Sequence, residues 1–328
     1  MNLPIIGWKK LLKFLGPLLF VFFVIRVVDP NKTLDLLKNI DPILVLLSMI
    51  FFPLLMYLRS LRWWMISQQI DLEIPLNRLF QINYIAWFLG NLPLGGISAV
   101  SKFFYLKDEG ITASRAFFSL TLDKLFDIGG TVVLGFYALY YFPTNLVAAK
   151  IPWIFIITTA LFIIIGLASG KKIWLGSKQL LRRYLNKKLQ QIGSNLENDL
   201  KLFWSTSGLS FFVKIMALSV GLGILRSLVM YIIAHAIGLS VSLAFMIACT
   251  GLIGLATIIP ISISGLGIRE AVLLLTLPLM GHSREAALAL GFAVFLWTIL
   301  FKFSGIYFWI KSPLPLKGID AIKRRFFT

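Results

Sequence analysis

Apolar runs of near-bilayer length recur along this chain, at Phe14–Val28, Pro42–Leu58, Thr112–Tyr141, Pro152–Ser169, Leu209–Ile237 and Ala286–Ile310. A helix needs about 20 such residues to cross a hydrocarbon core about 30 Å thick. Of the 328 residues, 58% are hydrophobic and only 14% are charged. Soluble domains have about 45–50% apolar and about 25% charged residues, so a water-soluble core cannot absorb this excess. Membrane β-barrels show short alternating segments instead of continuous runs. The expected fold is therefore an all-α polytopic membrane protein, a single domain over residues 1–328.

The formal net charge of +18 would suggest nucleic acid in a soluble protein. Here the basic residues flank apolar runs, so they read as the cytoplasmic bias of membrane loops, and nucleic-acid binding is not expected. Lys9, Lys10 and Lys13 precede the first run, and no small-residue cleavage site follows it, so an uncleaved helix is expected. Arg59 and Arg62 close the second run, with Trp63 and Trp64 beside them as interfacial anchors. Residues 171–208 form a basic stretch of mostly helical periodicity. This suits an amphipathic helix on an anionic cytoplasmic leaflet, or equally a solvated linker helix. Cys249 is alone and His235 and His282 are far apart, so neither a disulfide nor a metal site is expected, and no cofactor.

Two stretches interrupt the regular pattern. The first, Leu76–Leu106, is broken by Asn91-Leu92-Pro93-Leu94-Gly95-Gly96. The second, Val241–Leu279, is broken around Pro260, Gly265 and Gly267 and ends its break on Arg269-Glu270. If both are re-entrant, the six full spans place both termini, Arg59/Arg62, Lys102/Lys107 and the 171–208 loop on the cytoplasmic side of the cytoplasmic membrane. Pro93 and Lys102 recur as Pro260 and Arg269 at a common offset of 167 residues. After a two-residue difference, Ser114-Arg115-Ala116 answers Ser283-Arg284-Glu285-Ala286. Three spans separate the two breaks, so the halves, about 42–141 and 209–310, are expected to form an inverted repeat. Transporters built this way hold substrate between broken helices near the midplane.

Ionisable groups within spans are functional candidates. Asp123, Lys124 and Asp127 share a helix face by spacing and would balance charge or relay protons; simple pairing between helices is the alternative. Lys102, Arg226, Arg269 and Glu270 are candidate headgroup contacts, with Asn91, Pro93, Gly95, Gly96, Pro260, Gly265 and Gly267 shaping the breaks. Helix N-termini at such breaks offer N–H groups to a phosphate, and Arg can grip one bidentately.

The segment Pro260-Ile-Ser-Ile-Ser-Gly-Leu-Gly-Ile-Arg-Glu270, with Asn91–Gly96 and Asp123-Lys124-x-x-Asp127, resembles the lysylphosphatidylglycerol synthase transmembrane family, also called flippase-like. The resemblance covers almost the whole chain and implies lipid translocation. Because the chain ends shortly after its last run, it is expected to lack the soluble synthase domain and not to be an enzyme. The expected function is a flippase-like transporter of an anionic, modified or polyprenyl-linked lipid. Two alternatives stand beside it: a non-catalytic membrane subunit serving a separate lipid- or glycan-modifying enzyme, and a lipid-phosphate transferase using Asp123 and Asp127.

Overall fold

A computed structural model describes residues 29–90, 97–142, 187–258 and 267–313, with side chains of the third stretch from residue 196. The expected spans at Phe14–Val28 and Pro152–Ser169, the loop to residue 186, and the break residues Asn91, Pro93, Gly95, Gly96, Pro260 and Gly265 lie outside these residues. Among the described residues all regular structure is helical. In chain order these are α1 Pro30–Lys38, α2 Pro42–Met49, α3 Phe51–Gln68, α4 Leu76–Leu89, α5 Ile97–Asp108, α6 Ala113–Tyr141, α7 Lys187–Thr206, α8 Leu209–Ala236 and α9 Leu243–Ile258. Then come α10 Ile268–Thr276, a 3-10 turn Leu277–Met280, α11 Arg284–Phe303 and α12 Gly305–Lys311.

Among the described residues three units are long and apolar enough to cross a membrane: Pro42–Gln68, Leu209–Ala236 and Arg284–Lys311. Each would reach about 40 Å at 1.5 Å per residue, beyond a core of about 30 Å. Helix α6 has 29 residues but carries Arg115, Asp123, Lys124 and Asp127. The local chemistry explains the starts. The Asp41 carboxylate accepts from Ile43 and Leu44 N–H ahead of α2, while Thr112 and Ser283 cap α6 and α11. Side chains of these types satisfy first-turn N–H groups that have no partner within the helix. Between α2 and α3 the ladder is interrupted at Ile50, where Pro53 removes a backbone donor.

The broken elements are hairpins. Helices α4, α5, α9 and α10 hold 14, 12, 16 and 9 residues, or about 14–24 Å, too short to cross singly. Cys249 Sγ meets Thr276 Oγ1 at 3.4 Å. Those residues stand about equally far from the break on either side, so α10 runs back along α9. In the first element, Ile82, Ile85 and Leu89 of α4 share one buried cluster with Ile97, Tyr105 and Leu106 of α5.

The element order long–short–short–long thus occurs twice, at 42–141 and 209–311. Each half packs its first short helix on the other half's closing helix. Glycines permit the close approach, as small residues do between membrane helices. Gly254 of α9 faces Thr131 of α6, and Gly305, opening α12, sits against Tyr84 and Phe88 of α4. Gly130 of α6 lies on Ser219 of α8, where a Cβ would come within 2.7 Å of backbone carbon.

Two expectations need correction. The helix following Pro42 does not stop at Leu58, and Arg62 and Trp63 are not interfacial: they are 1% and 0% exposed inside the bundle. Second, Ser283 answers Thr112 and not Ser114: these two residues cap α11 and α6. Gly110 and Gly281, with φ of 80° and 78°, match at the same spacing. The offset between halves is therefore 167 residues at the start of the first short helix and 171 at the start of the second, because α9 and the break after it are together longer than α4 and its break. Counted this way Lys102 falls opposite Leu273, not Arg269. Helix α7, the described part of the 171–208 stretch, docks on protein: Asp199 and Phe203 are buried against Ser114, Arg115, Phe118 and Phe211.

Candidate functional site

Helix α3 presents Arg59 and Arg62 one turn apart, and α6 presents Asp123 and Asp127 one turn apart. The two rows meet. Arg62 Nε donates to Asp123 Oδ1 at 2.9 Å, and its Nη2 lies 2.9 Å from the same oxygen. Its Nη1 reaches Asp127 Oδ1 at 3.4 Å and Ser219 Oγ of α8 at 3.2 Å. A buried guanidinium is stable only when paired and hydrogen-bonded in this way. Arg62 is thus fully committed.

Arg59 is held less tightly. Arg59 Nη2 lies 3.8 Å from Asp127 Oδ1, and its guanidinium stands 5.1 Å from the Trp87 ring centre. The Lys302 ammonium stands 5.8 Å from that same ring. Lys102 rests 4.6 Å over Trp63, whose indole N–H donates to Ser119 Oγ at 2.7 Å. Lys102 also lies in electrostatic range of Asp123. Lys124 reaches Asp127 Oδ2 at 3.4 Å from an exposed position, where such pairs contribute little.

Between α3, α4, α6 and α8 lies a small, partly open pocket. Leu55, Met56 and Leu222 form its apolar walls, and Arg59, Asp127, Arg226 and Trp87 complete it. Arg226 Nε donates to the Leu222 carbonyl at 3.3 Å. Its terminal nitrogens have no hydrogen-bond partner among the described residues.

Arg269 and Glu270 behave differently. Glu270 Oε1 accepts from Arg269 Nε at 3.0 Å and Nη2 at 2.6 Å, while Oε2 accepts from the Gly267 N–H at 2.6 Å. Gly267, with φ 86°, gives the backbone turn that aims this N–H at the carboxylate. Glu270 is 2% exposed beneath Gly291, where a Cβ would approach its Cγ to 2.8 Å. The N-terminus of α10 therefore already holds an anion of its own, and Arg269 is paired instead of standing as a mobile charge.

The structure thus gathers Asp123, Asp127, Lys102 and Arg226 into one neighbourhood and leaves Arg269–Glu270 as a separate buried pair. Arg59 and Arg62, read from sequence as span-closing residues, belong to the neighbourhood too. A signal for Arg59 exists. Leu58-Arg59-Ser60-Leu61 recurs as Leu225-Arg226-Ser227-Leu228, offset by the same 167 residues as the two prolines. Ser60 and Ser227 each bond the carbonyl one turn back, Met56 at 2.7 Å and Gly223 at 3.0 Å. Both carboxylates that a transferase would need are engaged by Arg62.

A family model described as the lysylphosphatidylglycerol synthase TM region matches residues 10–303. The chain is 21% identical over 284 residues to a UPF0104 membrane protein of Methanothermobacter thermautotrophicus, covering 81% of this chain and 84% of that one. It is 23% identical over 285 residues to a UPF0104 membrane protein of Methanocaldococcus jannaschii, covering 79% and 81%.

Proposed function

The chain belongs to the lysylphosphatidylglycerol synthase transmembrane family, and from that premise we propose that it moves a lipid with an anionic headgroup between membrane leaflets. The observation that supports this most is the charge neighbourhood of α3, α6 and α8. Ionisable groups inside a membrane protein are costly and mark substrate paths. Arg62, Asp123 and Asp127 account for structural pairing; Arg59 and Arg226 facing a pocket do not. The repeated helical hairpins support the same reading, since transporters place their sites between such elements. In this proposal the protein resides in the cytoplasmic membrane with both termini inside, its halves inverted and its partners membrane lipids.

The test is translocation of headgroup-labelled anionic lipids in proteoliposomes holding the purified chain. Expected is protein-dependent movement of at least one anionic lipid and none of an uncharged analogue. If folded protein moves nothing from a panel of anionic, aminoacylated and polyprenyl-linked lipids, the transport reading fails.

A further inference from the structure

Resting on that transport reading, we propose that Arg59 and Arg226 form one seat for a phosphate ester, with Asp127 as the resident anion that yields Arg59 to it. The two arginines occupy equivalent positions of the repeated Leu-Arg-Ser-Leu segment, one from each half, and both line the same pocket. Each is short of partners. Among the described residues Arg59 has a 3.8 Å contact to a carboxylate oxygen that Arg62 already uses, besides the Trp87 face. Arg226 spends one donor on a backbone carbonyl, and its fork, in electrostatic range of Asp127, makes no hydrogen bond among the described residues. A guanidinium carries five N–H donors in a plane that matches phosphate oxygens.

Charge points the same way. Arg59, Arg62, Lys102, Lys124 and Arg226 surround Asp123 and Asp127, an excess of three positive charges. A phosphodiester removes one of them and a monoester up to two. Leu55, Met56 and Leu222 offer apolar surface beside the two guanidinium groups. Asp127 can release Arg59 without being orphaned, since Arg62 and Lys124 both stay within 3.4 Å. The Arg269–Glu270 pair offers no such seat, because its donors and acceptors already satisfy each other.

The experiment titrates the full chain in detergent with short-chain phosphatidylglycerol, using diacylglycerol as the uncharged control and inorganic phosphate as competitor. Expected is binding of the phospholipid but not of diacylglycerol, at least tenfold weaker in both R59Q and R226Q. D127N should bind several-fold tighter, because the internal competitor has lost its charge; a purely structural aspartate would give weaker binding. Competition by inorganic phosphate identifies a seat that reads phosphate alone; its failure, with arginine-dependent lipid binding intact, identifies a lipid-phosphate seat. Affinity unchanged in both glutamine variants overturns the seat, and weaker binding in D127N overturns the displacement. Where R226Q does not fold, R226K, which keeps the charge but loses the fork, carries the test. The two readings separate cleanly. Arginine-dependent binding without translocation sinks transport alone, whereas translocation persisting in the R59Q/R226Q double variant sinks the seat alone.

Discussion

Replacing Arg62 by Met keeps a long apolar stem in place and removes the charge that holds α3 against α6 and α8. Four contacts disappear: two to Asp123 Oδ1, one to Asp127 and one to Ser219. Asp127 retains Arg59 at 3.8 Å and Lys124 at 3.4 Å, so the carboxylate left without an ion-pair partner is Asp123, which is 8% exposed. Orphaning one buried charge costs about 3–5 kcal/mol. Asp123→Asn alone leaves Arg62 with Asp127 and Ser219, and should cost about 1.5–3 kcal/mol, the scale of one charged hydrogen bond. The double variant has no orphaned charge there, so its loss should fall at least about 2 kcal/mol short of the sum of the singles. Equilibrium unfolding in mixed micelles with increasing SDS, followed by helicity, measures all three. Additive losses, or an Arg62→Met cost below about 1 kcal/mol, would refute the argument that this guanidinium neutralises the seam.

Three further expectations follow from single positions. Gly130→Val drives a branched side chain into the Ser219 backbone and should lose about 1–3 kcal/mol or more in the same unfolding measurement; wild-type stability would count against a close α6–α8 contact. Gly267→Ala places a Cβ at φ 86° and should cost about 1–3 kcal/mol, whereas no loss would mean that the turn before α10 does not need glycine. Asp199→Ala removes the buried acceptor shared by Ser114 and Arg115, and should speed proteolytic cutting within α7 several-fold while α8 stays protected; uniform cutting rates would argue that α7 is held by other contacts.

The apolar runs and the proline–glycine breaks made the helical class and the two hairpins legible, because both depend on local chemistry. Asp123 and Asp127 were legible as chemistry because charge inside an apolar run stands out. Arg62 was not. It sits at the end of an apolar run, where a basic residue beside two tryptophans normally marks the membrane surface, and its partners lie 61 and 65 residues away. Which face of α3 turns inward is decided by α6 and α8, not by α3 itself. The equivalence of Lys102 with Arg269 failed for another reason. A single offset was carried through a helix and break whose combined length differs by four residues between the halves, about a full helical turn. Glu270 lay in plain view, but sequence adjacency to Arg269 does not reveal that the turn at Gly267 folds the carboxylate back onto its own helix start.

The distribution of the seam charges bears on how the chain is made. Synthesis runs from the N-terminus, and earlier segments can begin folding before later ones exist. Arg59, Arg62, Lys102, Asp123 and Asp127 all belong to the first half, so its carboxylates find their counter-ions among residues already inserted. Arg226 arrives later on a helix that brings no acidic residue of its own between Leu209 and Ala236. It must meet an Asp127 that is already in place. The first half is thereby a template against which Arg226 comes to rest, and assembly of the halves completes the pocket in the act of joining them.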